Sequence, residues 1–109
     1  MTMFCIQLDG KEIKNYQDFI LEMQKKMYFP RDCQGNIDRY LDWMRDLSWI
    51  QSETICIQIL NSNYLMTGNA TDRKKTLDDF NRIIIPFWKY DAESFIVGGK
   101  KKNVILKLI

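Results

Sequence analysis

The chain has 109 residues, which fits one domain spanning 1–109 and leaves little room for a second core. A hydrophobic fraction of 46%, with six Phe, five Tyr and three Trp, argues for an ordered globule rather than a disordered chain. A net charge of +2 is too small to imply nucleic-acid binding, and no apolar run approaches the ~20 residues of a membrane span.

Residues 3–8 read as a β-strand and Asp9-Gly10 as a turn. The N-terminal stretch meets Asp9 before any signal-like apolar core develops, so a cytoplasmic location is expected. Asn15 is placed to cap a helix through about residue 28, with Tyr16, Phe19, Ile20, Met23 and Met27 at helical spacing. Phe29-Pro30 should end it, because the residue before proline avoids the helical region.

Residues 31–35 form a loop, and Asn36 is a good N-cap for a second helix over 37–47. Ile37, Tyr40, Leu41, Met44 and Leu47 would be its buried stripe, with Trp43 on the border and partly exposed. Asp38, Asp42 and Asp46 recur every four residues, so on a continuous helix they form an acidic ridge. Spacing alone favours a solvated face, with Arg45 placed to pair with Asp42; the alternative is a surface that meets a cation.

Thr54–Leu60 is a mostly apolar strand of the kind buried on both faces. Asn61 to Lys75 reads as a polar loop with one helical turn around Tyr64-Leu65-Met66. A third helix should open at Thr76 and be ended or kinked by Pro86. A turn at Gly98-Gly99-Lys100-Lys101-Lys102 leads into a last apolar strand over 104–109. Strand, helix, helix, strand, helix, strand, with crossovers long enough for parallel connections, indicates an α/β domain with a small parallel sheet.

Little here suggests an enzyme. No Gly-rich phosphate loop follows a strand, and the chain has no histidine for acid–base work. The odd count of three cysteines without CxxC spacing argues against a disulfide framework and, with no histidine, against zinc. Cys5 and Cys56 fall in apolar segments and read as small core residues, whereas Cys33 lies in a loop where exposure is open to it. Trp43, Trp49 and Trp88 read as core or core rim before interface anchors. Charge is unevenly spread: residues 31–62 carry three basic and five acidic side chains, and residues 99–109 carry four lysines and no acid.

The order of these pieces resembles the barstar family of small ribonuclease inhibitors. The likeness runs from Ile6-x-Leu8-Asp9-Gly10 through Phe29-Pro30 and peaks in Asn36-Ile37-Asp38-x-x-x-Asp42-x-Met44, similar to the family's N-L-D-x-x-x-D-x-L run. It departs where Arg31-Asp32-Cys33-Gln34 replaces an aromatic pair, where the expected Gly is displaced to 35, and where Arg39 replaces a small residue. The resemblance implies a two-layer α/β domain, with a three-stranded parallel sheet packed with three to four helices. It also implies a non-enzymatic, cofactor-free immunity protein that blocks a bacterial nuclease toxin. Asp38 and Asp42 match the inhibitory aspartates and Asn36 the asparagine at the helix start, while Tyr40 and Trp43 would add contact area. A monomer is expected before complex formation. The alternatives are toxin binding through 61–75 or 86–95, or a small regulator that binds nucleic acid through Lys100, Lys101 and Lys102.

Overall fold

Three parallel strands alternate with helices, as the apolar pattern requires. The structure is a computed structural model that describes residues 3–92 and 101–109. The strands are β1 (Met3–Asp9), β2 (Thr54–Leu60) and β3 (Asn103–Leu108), in the order β1-β2-β3. Register runs from Met3↔Thr54 to Asp9↔Leu60 on one side of β2, and from Thr54↔Asn103 to Ile59↔Leu108 on the other. Right-handed crossovers in a sheet of this order put the connecting helices on one face. Ile6 and Leu8 of β1, Ile55, Ile57 and Ile59 of β2, and Val104 of β3 are buried under them. The expected two-layer α/β architecture is present, with three helices among the described residues. None of these is long and apolar enough to cross a membrane.

Local chemistry sets the helix ends. Helix α1 (Tyr16–Lys26) starts where Asn15 accepts a hydrogen bond from the Asp18 amide at 2.8 Å, while Asp18 accepts from the Lys14 amide at 3.1 Å. Its end precedes Pro30. Tyr28 turns left-handed at φ 55°, and the Phe29 amide reaches back to the Gln24 carbonyl at 3.0 Å, a Schellman closure. Helix α2 (Ile37–Met44) stops three residues short of the expected Leu47. The amides of Arg45 and Asp46 tighten onto carbonyls three residues back, and Leu47 takes φ 53° with its side chain buried.

The third helix starts earlier than expected and runs on past Pro86. Helix α3 (Ala70–Asp79) begins at the Asn69 cap, not at Thr76, which lies inside it and bonds through its hydroxyl to the Asp72 carbonyl at 2.7 Å. The polar start is held by tertiary bonds: Asp72 accepts from the Tyr16 amide, and Arg73 donates to the carbonyls of Ser62 and Leu65. Nor does Pro86 end the helix. The coil continues through π-helical turns at Phe80–Ile84 and Phe87–Asp91, where the amides of Ile85 and Ala92 bond five residues back to Phe80 and Phe87. A wider turn on each side accommodates a residue that lacks an amide proton. The turn expected at Tyr64–Met66 lies slightly earlier, at Ser62–Tyr64. Gly98, Gly99 and Lys100 of the expected glycine–lysine turn lie outside the described residues.

The extension beyond Pro86 buries Trp88, whose indole Nε1 donates to the Met44 carbonyl at 2.7 Å. Met44 ends α2, so this bond satisfies one of the carbonyls that a helix end leaves unpaired. Trp88→Phe keeps most of the apolar volume and deletes the donor. It should cost about 1–3 kcal/mol, read from urea unfolding, because the buried carbonyl loses its partner. An unchanged midpoint would show that the bond carries no weight.

Candidate partner-binding surface

Helix α2 and the loop before it form one exposed surface. The loop is built from short polar turns. Asp32 accepts from the Gln34 amide at 2.7 Å, Gln34 and Gly35 take φ 52° and 69°, and the Asn36 amide bonds to the Cys33 carbonyl at 2.9 Å. The Cys33 amide donates to the Gln24 side chain at 2.9 Å, which ties the loop to α1. Left-handed backbone is unfavourable for glutamine, so the displaced glycine leaves a strained residue at 34. Asn36 then caps α2, accepting from the Arg39 amide at 3.0 Å.

Asn36, Asp38 and Asp42 are all exposed, and Trp43 is half-buried. Asp42 does not stand alone. Arg45 donates to its Oδ1 at 2.9 Å and, through Nε, to the Leu41 carbonyl at 3.1 Å. The Asp42 side chain is still 74% exposed and that of Arg45 38%, so the pair itself adds little stability. Asp46 lies beyond the helix end and accepts from the Ser48 amide at 3.1 Å. The continuous three-carboxylate ridge is therefore corrected to two helical aspartates plus one carboxylate in a turn.

Trp43 rests on an aromatic support that spacing does not reveal. Its ring packs edge-on against Trp49 at 5.4 Å and lies tilted against Phe29 at 6.4 Å, and Trp49 is anchored by Nε1 donating to the Met27 carbonyl at 2.9 Å. The exposed side of Trp43 borders a concavity of about 450 Å³ lined also by Arg31, Asp32, Arg39, Asp42 and Asp46. Between residues 31 and 46, four aspartates face three arginines. The surface is thus patterned in both signs and not uniformly acidic. Arg39 also donates to the Gln34 side chain at 3.1 Å.

Tyr40 is a correction. It is fully buried, with ring centroids of Tyr16, Phe19 and Phe29 within 6.5 Å, and offers no contact area to a partner. Burial, helped by the Asp79 charge and by Cys33, pushes its hydroxyl well above the usual tyrosine range, so it stays protonated. Cys33 is likewise buried, and burial with the Asp32 charge lifts its thiol to about 11. The lysine triplet also changes meaning. Lys102 is buried, with Nζ donating to the carbonyls of Ile50 and Ser52, and the Lys101 Nζ donates to the Lys89 carbonyl at 3.2 Å. Lys102 at least is held in a structural contact and not presented at the surface, while Lys100 lies outside the described residues. Among the described residues, no group of three or more His, Cys, Asp or Glu converges on a metal site.

One family model, Barstar (barnase inhibitor), matches residues 3–98. No curated protein matches the chain.

The Tyr40 hydroxyl is a buried polar atom with no hydrogen-bond partner among the described residues. Tyr40→Phe should therefore leave stability unchanged or raise it by up to about 1 kcal/mol in thermal or urea unfolding. A loss beyond about 1 kcal/mol would reveal a partner for the hydroxyl.

Proposed function

Because this chain belongs to the barstar family, we propose that it is a ribonuclease inhibitor whose α2 surface occludes the active site of a bacterial ribonuclease toxin. It acts as a cytoplasmic immunity protein, one copy per toxin, by binding and without turnover or cofactor. The observation that carries this reading is the placement of Asp38 and Asp42 on the exposed side of a short, tightly capped helix.

A ribonuclease concentrates cationic side chains where it binds an RNA phosphate. A carboxylate held rigidly at that position gains charge-assisted, often bidentate hydrogen bonds. Asp42 is suited to this role, since its helix position is fixed and its carboxylate remains open to solvent. Asp38 stands one turn earlier on the same side, and Asn36 caps the helix through its carbonyl oxygen, leaving its amide nitrogen for a partner. Trp43 supplies apolar area at the edge of the concavity.

Arg45 modifies the mechanism. A partner's cation must share or displace the guanidinium now held by Asp42, and Arg31 and Arg39 further reduce the negative field. Encounter is therefore steered less by long-range attraction than a uniformly acidic inhibitor would be. Affinity must come from short-range fit in the complex.

The test is co-purification with candidate ribonuclease toxins, followed by inhibition and binding kinetics. Asp42→Ala should weaken the complex by at least about 2 kcal/mol, as expected of a central hot spot. A tight complex in which it costs less than about 1 kcal/mol would rule out Asp42 as the phosphate mimic. Arg45→Ala should raise the association rate about 3- to 10-fold at low salt, and the gain should shrink as salt is added.

A further inference from the structure

The sheet face turned away from the helices carries a pair of thiols. β1 contributes Met3, Cys5 and Gln7 to this face, β2 contributes Thr54, Cys56 and Gln58, and β3 contributes Ile105 and Lys107. Cys5 and Cys56 are register partners in adjacent parallel strands, so their side chains leave the sheet on the same side. The next pair along, Gln7 and Gln58, bonds across the strands at 3.0 Å, so side chains in this ladder do meet.

Access differs between the two sulfurs. Cys5 is exposed and Cys56 is 4% exposed; both are free thiols. Both were expected in the core, but only Cys56 is buried, and it lies on the face opposite the main core. Adjacent strands lie ~4.8 Å apart, inside the range of roughly 4.4–6.8 Å between Cα atoms that a disulfide spans. Burial, with Cys5 beside it, pushes the Cys56 thiol up, and Lys107 on β3 offsets only part of that shift, so Cys5 is the sulfur that reacts first.

We propose that Cys5 and Cys56 form a dithiol modification site for low-molecular-weight disulfides such as oxidised glutathione. The exposed Cys5 thiolate attacks one sulfur of the reagent, a mixed disulfide forms, and one glutathione thiolate leaves. The Cys56 thiolate then attacks the Cys5 sulfur, the Cys5–Cys56 bond forms, and the second glutathione thiolate leaves. Two protein thiols are oxidised, one reagent disulfide is reduced, and the two protein protons end on the departing thiols. The bridge closes a loop from 5 to 56 that contains α1, the 31–36 loop and α2, so an oxidised chain is held folded around its binding surface. This inference does not depend on the identity of the partner.

The experiment treats the folded full chain with excess oxidised glutathione, quenches with acid, and reads intact mass and a peptide map. The wild type should lose two hydrogens, keep no glutathione and yield a Cys5–Cys56 peptide pair. Its thermal midpoint should rise and return on adding dithiothreitol. Cys56→Ser should accumulate one glutathione on Cys5, and Cys33→Ser should match the wild type. A stable glutathione adduct on the wild type, no reaction at Cys5, or a bridge to Cys33 would each overturn the proposal. The peptide map of the unsubstituted chain decides the matter even where a variant folds poorly.

Discussion

Everything on the α2 surface depends on docking an eight-residue helix that would not persist alone. Helices this short are marginal in water because nucleation is costly and few propagation steps follow. Tyr40 supplies the anchor: its ring enters the gap between α1 and α2 and meets Tyr16, Phe19 and Phe29. Leu41 and Met44 bury beside it. Asn36 satisfies an amide at the start of the helix, and Trp88 satisfies a carbonyl at the end. With both ends and one side held, Asp38 and Asp42 have fixed backbones although their side chains face water. Rigidity of this kind lowers the ordering cost on association.

The same surface shows how charge can be arranged for fit and not for attraction at a distance. A lone exposed carboxylate on α2 would be freely hydrated and mobile. Asp42 is instead restrained by Arg45, which is itself held to the Leu41 carbonyl. The restraint narrows rotamer choice but also compensates the charge. Arg31 and Arg39 extend the compensation across the concavity beside Trp43. A partner with only cations at its active site would meet three arginines here, so complementarity has to be local, group by group.

Much of this was legible in the residues. Asn15 and Asn36 announced helix starts because a side-chain acceptor before an amphipathic run has one dominant use, and both caps form. Strand β2 was read correctly from Thr54 to Leu60 because only strand geometry suits so short a β-branched run. The start of α3 was not legible: the polar run from Ala70 to Lys75 is held in part by Asp72 and Arg73 bonding to Tyr16, Ser62 and Leu65, contacts that only tertiary structure reveals. Of the two outcomes expected at Pro86, an end or a kink, the end does not occur, since a proline flanked by wide π turns no longer breaks the coil. Tyr40 carried two roles in the sequence reading, buried stripe and contact area, and burial leaves room only for the first. The aromatic support of Trp43 was hidden because Phe29, Trp43 and Trp49 come from three separate segments.

Lys102 is a charge committed to structure. A buried ammonium is unfavourable unless its protons find acceptors, because desolvation penalises the charged form. Here the acceptors are the carbonyls of Ile50 and Ser52, in the segment that leads from α2 into β2. One backbone bond, from the Asn103 amide to the Glu53 carbonyl at 2.8 Å, continues the same seam into the sheet. Lys102 thus clamps the segment by which the chain leaves α2. At one end of that helix an asparagine holds the backbone, at the other a tryptophan does, and just beyond it a lysine fixes where the chain may go. The carboxylates of α2 can then stay exposed at its surface, because its position is secured by side chains that approach from behind.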